Sequence, residues 1–295
     1  MNNDHAFSLR QRGVTMIEMI VVIVITGIIG ATIAVFIRLP VQSYTDSVAR
    51  AAATDAADLT LRRMARDLRL ALPNSVRVRE TAAPDVRYIE FLQTTGGLRY
   101  LAEDDIRPGP VGNYLNWSDT TKTTFDVVGG IPSGRHAPQV GDYLVIYNLG
   151  ELQEPGDAYN CDGACNRARI KSFPGGATIE MESNPFAAQA ASGVTLASPG
   201  KRMHVVSSAV TYACNLGTRK LTRYWDYPIT TSQPTPPSGG KSALLAENVA
   251  TCDFQYANLP NQRSGLVGLS LGINIPGATA AVLPLEHQVH VSNTP

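Results

Sequence analysis

Arg10-Gln11-Arg12-Gly13-Val14-Thr15-Met16-Ile17-Glu18 opens a stretch that carries no further charge until Arg38. A basic leader, a glycine and one carboxylate stand ahead of nineteen uncharged residues, Met19 to Ile37. At about 1.5 Å per residue, a helix over that run reaches roughly 28 Å, close to the hydrocarbon thickness of a bilayer. Arg10 and Arg12 suit a cytoplasmic leader by the positive-inside rule, and Arg38 can reach the opposite headgroup region. A secretory signal peptide carries its apolar core ahead of its cleavage site and loses it on processing. Here the apolar segment follows the candidate junction and stays with the mature chain. An uncleaved signal anchor would need neither Gly13 nor Glu18. A carboxylate in an apolar helix costs on the order of 2.5–3.5 kcal/mol at the bilayer centre and less near the interface, where the helix dipole favours it. Gly27, Gly30 and Pro40 weaken the helix locally, Pro40 by about 3 kcal/mol in a helix interior.

The helix is expected to continue through residues 40–72 and to end at Pro73. At 100° per residue Val41, Tyr44, Val48, Ala52 and Leu59 share one side. Leu61, Met64, Ala65, Leu68 and Leu72 form a tighter stripe on roughly the opposite side. Two apolar faces imply two partners: the chain's own globular part for the second stripe, and neighbouring subunits or the lower edge of that part for the first. Arg62, Arg66 and Arg69 border the second stripe, and Asp58–Arg62 and Arg63–Asp67 stand at helical ion-pair spacing, which reads as a solvated, ion-paired margin.

From Val86 the pattern becomes short β-type runs punctuated by Gly, Pro and Asn. Expected strands are 86–92, 98–101, 123–128, 143–148, 169–173, 178–182, 203–214, 220–227, 266–275 and 280–291. Residues 244–256 read as helix or strand. The proline-rich 228–240 and the cysteine-bearing 151–167 read as exposed loops. No internal repeat and no second membrane-length run is present.

The 295 residues carry 25 basic and 25 acidic side chains, so no attraction to polyanions is implied, and nucleic acid is not an expected partner. Removal of residues 1–13 takes away Arg10, Arg12 and Asp4, leaving 23 basic and 24 acidic groups. Pro73 to Pro295 spans 223 residues, enough for a real core. Cys161, Cys165, Cys214 and Cys252 all lie beyond the apolar segment, where an oxidising compartment favours disulfides. Of three pairings, Cys214–Cys252 with Cys161–Cys165 is favoured. The first closes a long loop, worth about 3–4 kcal/mol by the chain-entropy estimate. A four-cysteine zinc site is disfavoured because no CxxC is present.

The leader charge, Gly13, Glu18 and apolar run together resemble the class III signal of type IV pilins and type II secretion pseudopilins. The resemblance implies that a prepilin peptidase cuts between Gly13 and Val14 and N-methylates Val14, where the family commonly has Phe. It implies that Glu18 pairs with the freed amine in a filament and sets register, and that the helix bends or partly unwinds near Gly27, Gly30 and Pro40. The fold implied is α+β and pilin-like: leader 1–13, a membrane-spanning and assembly half 14–39, an amphipathic half 40–72, and a mainly antiparallel, β-rich head 73–295. Asp55-Ala56-Ala57-Asp58, residues 61–69 and 71–77, Val210-Thr211-Tyr212 with Cys214, Arg223-Tyr224-Trp225, Cys252-Asp253-Phe254 and His287-Gln288-Val289-His290-Val291 look like biogenesis proteins of the mannose-sensitive haemagglutinin (MSHA) type IV pilus. By the same likeness the chain stands near the large J-type pseudopilins. The implied partners are prepilin peptidase, other major and minor pilins or pseudopilins, the inner-membrane assembly platform and the membrane itself. The head is expected in the periplasm until the subunit enters a filament, as a low-copy member. A displayed adhesin or DNA-binding tip would instead require an exposed basic or aromatic patch.

No enzyme is expected. Gly268-Leu269-Ser270-Leu271-Gly272 matches GxSxG, with Glu286, His287 and His290 after it, but a nucleophile elbow needs a strand-to-helix turn. Leu269, Leu271, Ile273 and Ile275 alternate with small or polar residues, as in one half-buried strand. Gly239-Gly240-Lys241-Ser242 imitates the end of a P-loop, yet Thr235 stands where the first glycine is required. Asn160, Asp162 and Gly163 fit three EF-hand positions while Ala158 and Arg169 do not. No cofactor is expected, with room left for a structural calcium ion in a surface loop, as some pseudopilins hold. His287 and His290 fall on opposite faces of a strand and make a poor metal pair. Tyr224, Trp225 and Tyr227 read as sheet packing before they read as a recognition ledge.

Overall fold

The computed structural model describes residues 13–105, 112–257, 263–275 and 281–295. Arg10 and Arg12 of the leader lie outside them. Helix α1 runs Met16–Leu68, with Gly27, Gly30 and Pro40 inside it. It stops four residues before the expected end at Leu72. The N–H groups of Leu70 and Ala71 bond three residues back, to Asp67 and Leu68, each at 3.0 Å. Leu72 N–H then donates to the Leu92 carbonyl at 2.7 Å. The sheet thus takes over the backbone partners a longer helix would have kept, before Pro73 is reached.

The chain divides into two compact units, Met1–Ala51 and Ala52–Pro295. Described residues of the first are almost all helical. Its large apolar side chains from Val14 to Ile37 are 49–84% exposed. Such an all-round apolar helix, long and apolar enough to cross a membrane, has no core of its own to fill.

The second unit is the head. It is built of β1 (Arg77–Ala82), β2 (Asp85–Arg99), β3 (Thr124–Asp126), β4 (Tyr143–Val145), β5 (Arg167–Gly175) and β6 (Thr178–Met181). Helix α2 (Pro185–Ala191) follows, then β7 (Arg202–Asn215), β8 (Lys220–Tyr227), β9 (Lys241–Glu247), β10 (Val249–Tyr256), β11 (Ser264–Asn274) and β12 (Val282–Ser292). The first nine strands form one sheet in the order β1-β2-β7-β4-β5-β6-β3, with β8 added to β7 and β9 to β8. Strands β10-β11-β12 form a second sheet. Every pairing among them is antiparallel. A long N-terminal apolar helix with an antiparallel β-rich head is the expected α+β, pilin-like architecture.

The differences from expectation are local. Residues 86–92 and 98–101 are not two strands: β2 runs through Gly96 and Gly97, absorbing irregular pairing with β7 between Gln93 and Gly96. Strand β1, with the charged sequence Arg77-Val78-Arg79-Glu80, gave no β signal but pairs with β2 from Arg77 opposite Glu90 to Ala82 opposite Asp85. Helix α2 is started by Asn184, whose side chain accepts from Ala187 N–H, with Pro185 at its first position. The ambiguous 244–256 is strand on both sides of Asn248, whose φ of 58° turns the chain out of β9 and into β10.

Neither loop is simply exposed. Asp157, Ala158, Tyr159, Cys165 and Asn166 of 151–167 are buried, as is Gln233 of 228–240. The core behind them includes Leu98, Phe125, Leu144, Ile170, Phe186 and Met203 in one cluster. Leu72, Leu92, Tyr159, Val206 and Tyr227 fall in another.

Candidate assembly site

Gly13, Val14 and Thr15 precede the helix outside any regular element. A Cβ added at Gly13 would meet nothing within 4 Å, and the same holds at Gly27 and Gly30. Inside a helix each glycine costs about 1 kcal/mol against alanine. Among the described residues no packing contact offsets that cost, so the reason for these glycines lies in a partner, a processing enzyme or the helix's own compliance. The backbone through Gly27, Gly30 and Pro40 is continuous helix here.

Glu18 caps its own helix. Its Oε2 accepts from Thr15 N–H at 3.5 Å, while Thr15 Oγ1 accepts from Glu18 N–H at 3.4 Å. This reciprocal pair is a capping box, and its signature Thr15-x-x-Glu18 was legible in the sequence. Deeper in the apolar run, Thr26 Oγ1 donates to the Val22 carbonyl, and Thr32 Oγ1 to Ile28 and Ile29 at 3.1 and 2.8 Å. Their hydroxyl donors are therefore satisfied inside the helix, as an apolar surrounding demands.

The two stripes separate as expected. Leu61, Met64, Ala65, Leu68 and Leu72 are buried in the head, whereas Val41, Tyr44, Val48 and Leu59 are exposed. No lower edge of the head covers Leu59, which is 71% exposed.

The arginine margin needs one correction. Arg62 pairs with Asp58 at 2.7 Å on the surface, but Asp67 does not pair with Arg63. Asp67 turns inward, accepting from Tyr212 Oη at 2.7 Å and from Arg223 Nε at 2.9 Å. Burial, then the Asp67 charge, pushes the Tyr212 phenol well above its ordinary range. Arg223 also lies 4.7 Å over the Trp225 ring and donates to Gln93 at 3.3 Å. A helix residue read as solvated is thus the polar pin between helix and sheet. Distance in sequence, 156 residues between Asp67 and Arg223, hid it.

A second buried pair closes the loops over the sheet. Arg77 and Glu90, with side chains 2% and 1% exposed, meet at 2.6 Å. Arg77 donates to the Thr231 and Thr230 carbonyls at 2.7 and 3.1 Å and lies 3.7 Å over the Tyr159 ring. Glu90 also accepts from Thr211 and Tyr227 at 3.1 and 3.0 Å. Desolvation raises the Glu90 carboxyl, against the opposing pull of Arg77 and its hydrogen bonds. These contacts tie 151–167 and 228–240 to β1 and β2. The structure bonds Cys161 to Cys165, with Cα atoms 5.1 Å apart, and Cys214 to Cys252, at 6.5 Å. The second joins β7 of the large sheet to β10 of the small one.

Ser270, Glu286 and His287 line one small pocket on the second sheet, but on flat strands and not at a strand-to-helix turn. Ser270 stands mid-strand in β11, opposite Asp253 on one side and Glu286 on the other. His287 pairs with Leu269 and His290 with Leu266, on alternate faces of β12. Gly239-Gly240 leads into β9, not into a helix. Among the described residues no three His, Cys, Asp or Glu side chains are grouped to hold a metal. Tyr224 packs against Val86, Tyr88 and Ala213, while Tyr227 is bonded to Glu90 and Thr211.

Residues 8–34 match the family model of the prokaryotic N-terminal methylation motif. No curated protein and no solved structure matches the chain. The motif match supports a type IV pilin-like chain, a pilin or pseudopilin substrate of prepilin peptidase, whose apolar helix fits membrane anchoring.

Proposed function

We propose that the chain is a minor pilin-like structural subunit of an MSHA-type type IV pilus, similar to MshO, that helps to initiate filament assembly. Residues 1–13 are its leader. Cleavage after Gly13 frees Val14 for N-methylation, and Glu18 then sets register against an amine terminus in the filament. The first half of α1 holds the subunit in the inner membrane, with the head in the periplasm, until the assembly platform lifts it out. There it packs among other pilins, and Gly27, Gly30 and Pro40 let the helix adjust. The observation that carries this reading is the methylation motif followed by an apolar helix whose large side chains from Val14 to Ile37 are exposed among the described residues. Such a helix is stable only in lipid or among others like it.

The test is deletion of the gene, counting surface pili by electron microscopy, with complementation by the wild-type chain and by Gly13→Leu. Loss of pili, restored by wild type but not by the uncleaved variant, is expected. Unchanged pili with missing exoproteins would assign the subunit to a type II secretion filament as a J-type pseudopilin. Mature-sized Gly13→Leu protein would refute the cleavage site.

A further inference from the structure

Among the described residues the edge strands of the head differ in how their outer sides are blunted. Unpaired strand edges invite pairing with other chains, and charge, proline or shortness normally blunts them. Edge strand β1 carries Arg79 and Glu80, and β3 is three residues long. Strand β10 carries Asp253, and β12 carries Pro284, Glu286, His287 and His290. Among the described residues strand β9 pairs with β8 alone. Its charges, Lys241 and Glu247, stand at its two ends, and its centre is Ser242-Ala243-Leu244-Leu245. Leu245 is the extra residue of a bulge, since Leu221 pairs with Ala246 and Thr222 with Leu244. Leu244 is 48% exposed.

Beside this edge runs the head half of α1. Leu59, Thr60, Arg62, Arg63 and Arg66 line, with Leu244 and Leu245, one groove of about 350 Å³. Thr60 Oγ1 donates to the Ala56 carbonyl of its own helix at 2.7 Å and lies 3.4 Å from the Leu245 carbonyl, which places helix beside strand. Of the three arginines Arg62 pairs with Asp58, and among the described residues Arg63 and Arg66 pair with no carboxylate. The groove therefore brings together leucine side chains, a strand edge with no charge or proline at its centre, and the guanidinium groups of Arg63 and Arg66.

We propose that β9 and this arginine row form a docking site for an extended acidic segment of another polypeptide. The segment adds to the sheet edge as a strand, with its carboxylates on the face toward α1 against Arg63 and Arg66 and its apolar side chains on the opposite face beside Leu244, which pairs with Thr222. A second copy of this chain is the rival occupant, because antiparallel self-pairing of β9 about Leu244 would bring Lys241 opposite Glu247. That symmetric arrangement would also place both arginine rows on the same face of the joined sheet. Like charges there oppose self-pairing and select an acidic stranger. The site stands on the head's own geometry, so it holds or fails independently of whether the filament is a pilus.

The test uses the full chain in detergent micelles and an eight-residue capped, fluorescent peptide of alternating glutamate and valine, read by anisotropy. Controls are the lysine–valine counterpart and a glutamate–valine peptide with a central proline. Saturable binding of the acidic peptide is expected, with both controls weaker by about tenfold or more. The double variant Arg63→Glu/Arg66→Glu, checked for an unchanged circular dichroism spectrum, should reverse the charge preference. The proposal is overturned if the acidic peptide does not bind, if the proline peptide binds equally, or if the preference survives reversal. A concentration-dependent dimer abolished by Leu244→Lys would overturn it in favour of the second copy.

Discussion

Asp67 shows how one side chain can join an assembly helix to its head. It lies on the head-facing side of α1 but is chemically part of the sheet, through Tyr212 on β7 and Arg223 on β8. Replacing it with alanine leaves the Arg223 guanidinium buried without its carboxylate, and breaking such a pair costs about 3–5 kcal/mol. Arg223 keeps Gln93 and the Trp225 face, which places the expected loss near the lower figure. For a head of this size that corresponds to a fall in Tm of roughly 6–12 °C. Thermal melts of the full chain in detergent, followed by near-ultraviolet circular dichroism, should show it for Asp67→Ala. Asp67→Asn keeps an acceptor for Tyr212 and should lose less. Equal melts for Asp67→Ala and wild type would mean that the apolar stripe alone holds the helix.

At the scale of elements, what the sequence disclosed depended on how far apart the cooperating residues lie. The long helix, the two stripes and strands such as β8 follow local periodicity, which needs only neighbours within a few residues. The capping box of Thr15 and Glu18 was equally local. Strand β1 was hidden because its charged residues find their reason elsewhere: Arg77 meets Glu90 thirteen residues on and the Thr230 and Thr231 carbonyls more than 150 residues on. The loop 151–167 looked exposed for the same reason, since Tyr159 is buried against Leu72, Leu92 and Val206, with Arg77 over its ring and its hydroxyl on the Ser75 carbonyl. Polar residues that satisfy one another across the fold carry no periodic signal. The disulfide between β7 and β10 is the covalent counterpart of these long-range ties. It closes a loop of sequence separation 38, so Cys214→Ser/Cys252→Ser should lower stability by about 3–4 kcal/mol on the chain-entropy model. Loss of the Cys161–Cys165 bond closes far less chain and should cost less. Parallel urea titrations of the two double variants in detergent test that order, and equal losses would contradict it.

At the scale of the whole molecule the same carboxylate has two partners in two states. In the uncleaved chain Glu18 caps its own helix through Thr15 N–H. In the proposed filament it pairs with an amine that exists only after cleavage. The two roles make different demands: a cap needs an acceptor oxygen, which glutamine also supplies, whereas register against an amine needs the charge. Glu18→Val removes both. It also removes a carboxylate from an apolar segment, so membrane insertion should be unimpaired or improved. Glu18→Gln keeps the cap and loses the charge. Both variants should be cleaved and found in the membrane fraction, and both should fall by at least about tenfold in the sheared filament fraction, measured by immunoblot. Tenfold corresponds to only about 1.4 kcal/mol of lost pairing, a modest demand on an ion pair in an apolar bundle. If Glu18→Gln enters filaments as wild type does while Glu18→Val does not, the carboxylate acts as a cap and register must come from elsewhere. If both enter normally, the helix assembles on its apolar surface alone.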